Sequence, residues 1–163
     1  MLATNRDLEG LSAALYLYAQ DRESFERLSL NTITWCFWNA DGSVKTKAYQ
    51  MLGYVHVLGP DLERGVAAYV ASSHRNPESS WDALPGDCDA KIRILSDVID
   101  RSPDATLTAW CIDQLRNQLA MDPDDVTKHV GIAALRRLTY CNHRDLQERA
   151  SQVLQQLDSR REK

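Results

Sequence analysis

The chain has 163 residues, 44% of them hydrophobic, with 23 acidic and 19 basic groups and only seven Gly and five Pro. That length and apolar fraction suit one domain with its own core, and they exclude a disordered tail, a collagen-like fibre and a small disulfide-stapled scaffold. A net charge of −4 speaks against a general nucleic-acid binder, which needs surplus Lys and Arg to neutralise phosphates.

The apolar spacing predicts a single all-helical domain over residues 1–163, with helices at about 5–20, 23–38, 43–58, 61–73, 89–101, 103–120, 123–140 and 143–159. Leu8, Leu11, Leu15 and Tyr18 share the first face. Phe25, Leu28, Ile33, Cys36 and Phe37 form the second stripe. Val44, Ala48, Met51, Leu52 and Val55 form the third, with the 0, 4, 7, 8, 11 spacing of a helix packed on one side. No segment shows the strict alternation of a half-buried strand.

Later helices open at Gly59-Pro60-Asp61, Ser102-Pro103-Asp104 and Asp122-Pro123-Asp124. Proline fits a first helical turn because its missing N–H has no partner there. The Ser or Asp before it is expected to cap, and the acid after it complements the helix dipole. Asp122 with Asp125, and Asn142 with Asp145, read as loose capping boxes. Most connections are two to five residues long. The exception is a polar, turn-rich loop near 72–88 that holds Trp81. Residues 159–163 read as a frayed end.

The 0, 4, 7, 8, 11 stripe recurs as Leu62-Val66-Tyr69-Val70-Ser73, Leu107-Cys111-Gln114-Leu115-Gln118, Val126-Val130-Ala133-Ala134-Arg137 and Leu146-Ala150-Val153-Leu154-Leu157. Short connections between similar helices favour stacked antiparallel hairpins. The segment Asp41-Gly42-Ser43-Val44-Lys45-Thr46-Lys47-Ala48, followed by the apolar pair Met51-Leu52, resembles the second helix of HEAT and armadillo-type repeats. Asp145-Leu146-Gln147-Glu148-Arg149-Ala150 matches that pattern in part, with Gln147 where a basic residue is usual. The resemblance implies about eight helices in stacked antiparallel pairs, as a HEAT-like right-handed solenoid; a compact helical bundle is the other arrangement the pattern allows.

Met1 to Asp7 lacks a basic stretch followed by an apolar run, so no secretory leader is expected. The longest apolar cluster, Trp35-Cys36-Phe37-Trp38, falls far short of the ~18 residues of a membrane span. Cys36, Cys88, Cys111 and Cys141 form no CxxC, which suits reduced thiols and a cytoplasmic or nuclear protein.

No residue pattern points to catalysis. Zinc-type ligand spacing, a GxSxG elbow and a glycine-rich phosphate loop are all missing from the sequence. No metal or cofactor is therefore expected. Surface recognition is the better reading. Residues 1–125 carry 11 basic against 19 acidic groups, a net −8, and residues 126–163 carry 8 against 4, a net +4. Arg136, Arg137, Arg144 and Arg149, with Lys128, read as a basic ridge on the last two helices. Trp81, in its polar loop, and Trp38, in a run whose aromatics cannot all face one side, are candidate anchors for a partner.

The sequence thus predicts a soluble, non-enzymatic protein-interaction module: an adaptor, assembly factor or inhibitor. Two alternatives are nucleic-acid binding through the C-terminal ridge and a helical enzyme with a site under the 72–88 loop. The second would use His74, Asp82, Asp87 or Cys88.

Overall fold

The computed structural model describes residues 34, 38, 49, 52, 58–72, 84–102 and 104–162. They form an all-α bundle of five helices: α1 (Pro60–Ser72), α2 (Cys88–Arg101), α3 (Ala105–Leu119), α4 (Asp125–Leu138) and α5 (Arg144–Arg161). These match the last five predicted helices to within two residues at every end. The first three predicted helices fall mainly outside the described residues, as do Trp81, His74 and Asp82. Tyr49 and Leu52 are described and buried, and the Tyr49 ring lies 5.2 Å from that of Tyr69 in α1.

Aspartates start three of the helices. Asp87 accepts a hydrogen bond from the Ala90 N–H at 2.8 Å. Asp104 accepts from the N–H groups of Thr106 and Leu107. Asp124 accepts from the N–H of Thr127 at 2.9 Å. The caps of α3 and α4 are therefore the acids after the prolines, and not Ser102 or Asp122 as the sequence predicts. A cap needs extended backbone, which Asp104 and Asp124 have. Asp122 instead takes φ 59° in the turn. At α5 the cap position is His143, which makes no side-chain cap bond, so the expected Asn142–Asp145 box does not form.

The direction of packing follows from pairs of contacting residues. Between α2 and α4, Asp89 meets Asp124 and Arg93 meets Thr127 near the start of both helices, and Asp100 meets Arg137 near the end. Contacts that advance together mean parallel helices. The same holds for α1 and α2, where the turn at Gly86 closes on Leu58 and Arg93 reaches Glu63. In contrast, Cys88 at the start of α2 donates to the carbonyl of Gln118 at the end of α3, so those two run antiparallel. With short connections and direct packing of α4 on α5 and of α3 on α5, the contacts sort into two layers. One holds α1, α2 and α4 running one way; the other holds α3 and α5 running back.

The core lies between the layers. It is built on Leu62, Val66 and Val70 of α1, Ile92, Leu95 and Val98 of α2, Leu107, Ile112 and Leu115 of α3, Leu135 of α4, and Ala150 and Val153 of α5. The central helix α2 is the most enclosed, and its outer edge is charged. Gly131 lets α4 approach closely: a Cβ there would stand 3.0 Å from Ile92 Cγ2 and 3.1 Å from Leu119 Cδ2. The buried hydroxyls of Ser96, Thr108 and Thr127 are satisfied. Ser96 donates to the carbonyl of Ile92, Thr108 to that of Asp104, and Thr127 to the Asp124 carboxylate.

One predicted stripe is out of phase. In α4, Val126 is 77% exposed and Val130 39%, and Arg137 is exposed as well. The buried face is Thr127, Gly131, Ala134, Leu135 and Leu138. The core selected the face that fits its space, with the Thr127 hydroxyl held by Asp124, over the face with more valines.

Candidate functional site: the α3–α5 groove

The arginines of the predicted basic ridge do not stand together as a free cationic strip. Arg137 bridges to Asp100 on α2, with Nη2 at 3.0 Å from Oδ1. Arg144 pairs with Glu148 on its own helix at 2.9 Å, and Arg149 reaches Asp113 on α3 at 3.4 Å. Arg136 is exposed on α4. Each layer is thus crossed by arginine–carboxylate bridges between parallel neighbours: Glu63–Arg93 from α1 to α2, Asp100–Arg137 from α2 to α4, and Asp113–Arg149 from α3 to α5. No sequence spacing reveals them, because each partner lies 30 or more positions away.

The Asp113–Arg149 bridge sits in an open groove of about 470 Å³ between α3 and α5. Asp113 and Arg116 form one wall; Asp145, Glu148, Arg149 and Gln152 form most of the other. The lining mixes both signs of charge with side-chain amides. It offers donors and acceptors side by side, as a polypeptide backbone and its polar side chains require. Sequence reasoning singled out Arg149 and missed Arg116, Gln152 and the acids. The signal for those on α5 was the i, i+3, i+4, i+7 spacing of Asp145, Glu148, Arg149 and Gln152, beside its buried Leu146, Ala150 and Val153.

The predicted aromatic Trp38 is helical and 49% exposed. Trp81 lies outside the described residues. Of the groups proposed for a catalytic loop, Asp87 caps α2. Burial, reinforced by the carboxylates of Asp89 and Asp87, pushes the Cys88 thiol up, which disfavours the thiolate a nucleophile needs. Burial does the same to Cys111 in the core. Among the described residues, no three His, Cys, Asp or Glu side chains converge as metal ligands would. No described helix is long and apolar enough to cross a membrane.

No family model, curated protein or solved structure matches this chain.

Proposed function

We propose that this chain is a non-enzymatic protein-interaction module built as a short helical-repeat stack. Parallel packing of α2 with α4 and of α3 with α5 supports the stack. Shifting α2 by 37 positions (124 less 87) carries cap Asp87 onto cap Asp124, and buried Ala90, Ile94 and Val98 onto buried Thr127, Gly131 and Leu135. Shifting α3 by 39 (146 less 107) carries buried Leu107 and Cys111 onto buried Leu146 and Ala150. Repeats of this kind stack by nearest-neighbour contacts and offer long open surfaces for docking.

The α3–α5 groove carries the reading: it spans two proposed repeats and is lined by both charges and amides. A protein segment with paired charges of its own fits it. A nucleic-acid strand fits poorly, because Arg149 already holds Asp113, and Asp145 and Glu148 face the same groove. The free thiols of Cys88, Cys111 and Cys141 suit work in a reducing compartment.

A photo-cross-linking side chain at Gln152 tests this. A discrete protein adduct from native lysate, insensitive to nuclease and lost on Arg116→Glu or Arg149→Glu, is the expected result. Nuclease-sensitive capture favours the nucleic-acid reading. An adduct pattern no different from a control probe at Asp158 overturns the groove as a docking site.

A further inference from the structure

A different surface, the outward side of α4, fits a second copy of this chain. Val126 and Val130 are among the most exposed large apolar side chains described, and Met121 and Tyr140, at the two ends of α4, are 66% and 87% exposed. At 3.6 residues per turn, Val126 and Val130 lie within about 40° of each other, and Asp125 and Arg136 within about 20° on one flank of them. The acid stands at the amino end of the helix and the base near its carboxyl end.

These positions are symmetric about the middle of the helix. Asp125 lies five positions before Val130 and Arg136 five after Gly131. A twofold axis perpendicular to two antiparallel helices brings the same flank of each together and reverses the chain direction. Asp125 of one copy then faces Arg136 of the other, twice over. Val130 meets its own equivalent near the axis, and the two helix dipoles oppose. We infer that α4 mediates isologous antiparallel self-association of this protein through Val126 and Val130, with Asp125–Arg136 pairs setting the register. A face one helix wide belongs to the small, transient class of interface, so association is concentration-dependent.

Sedimentation velocity of the full chain over a wide concentration range tests this. The wild type is expected to shift from monomer to dimer. Val130→Lys should weaken association by about tenfold or more. Asp125→Arg and Arg136→Asp should each weaken it similarly, since each variant sets like charges face to face. The double variant, which swaps the pair, should recover most of the loss. Circular dichroism and the thermal midpoint identify any variant that fails on folding, and Val126→Lys then serves as the replacement. A wild type that stays monomeric, a dimer indifferent to Val130→Lys, or a folded double variant no better than the singles would each overturn the inference.

Discussion

Arg137 grips Asp100 with two nitrogens: Nε and Nη2 lie 3.2 and 3.0 Å from Oδ1, and Nη2 also lies 3.1 Å from Oδ2. The contact joins the last turns of two parallel helices at a solvent-exposed edge. Exposed bridges contribute little, because water screens them and ordering two long side chains costs entropy. Arg137→Ala and Asp100→Ala are therefore expected to cost at most about 1 kcal/mol each, with a double-mutant coupling of about 0.5 kcal/mol. Urea unfolding of the four proteins measures it, and a coupling several times larger would show that the bridge is structural.

The phase of α4 gives a sharper contrast. Leu135 is fully buried, so Leu135→Ala should cost about 2–5 kcal/mol through lost transfer energy and a cavity. Val126→Ala should stay within about 0.5 kcal/mol. Comparable losses at both sites would mean that α4 is rotated from the orientation described.

At Gly131 the space is already taken by Ile92 and Leu119. Gly131→Leu should cost about 1–3 kcal/mol by overpacking, despite the better helix propensity of leucine. A midpoint at or above the wild type in thermal unfolding would contradict the close approach of α4.

Removing the cap of α3 by Asp104→Ala leaves the N–H groups of Thr106 and Leu107 without their acceptor. The expected loss is about 1 kcal/mol, while Asp104→Asn retains most of the stability. Chemical denaturation of both variants separates the cap from the charge.

The pair Asp89 and Asp124 sets an acid-side pH dependence. Hydrogen bonds from the Thr127 N–H and hydroxyl, and then from Asp89, hold the Asp124 carboxyl below the usual range. Its share of stability is present above the ordinary aspartate pKa of about 3.9 and is lost as pH falls through the lowered value. Asp89 has the opposite sign: its hydrogen bond to Asp124 raises it, so folding favours its protonated form and that share is lost as pH rises through the raised value. Asp89→Asn, which mimics the protonated acid, should raise the thermal midpoint at neutral pH and flatten the profile just above pH ~4. Asp124→Asn should flatten the limb below it. A profile unchanged in both variants would remove the pair from the account.

Helix positions were readable from sequence because Leu, Ile and Val recur at helical spacing from 60 to 157, and their burial dominates folding. Two kinds of information were not. The orientation of α4 was hidden because Thr127 and Gly131 are weak apolar signals beside Val126 and Val130. Only the hydroxyl partners of Thr127 and the gap between Ile92 and Leu119 decide the matter. The groove was hidden because its walls come from helices 36 residues apart, and because Arg149 looks like one more surface charge until Asp113 stands opposite.

The shared direction of α1, α2 and α4 also arranges the charges along the layer. Asp61, Asp87, Asp89, Asp124 and Asp125 gather where the helices begin, and Arg101, Arg136 and Arg137 where α2 and α4 end. The returning layer carries the opposite gradient, with Asp104 and Asp145 where α3 and α5 begin and Arg116, Arg160 and Arg161 where they end, so an approaching ion or protein meets opposite polarities on the two faces before the surfaces touch.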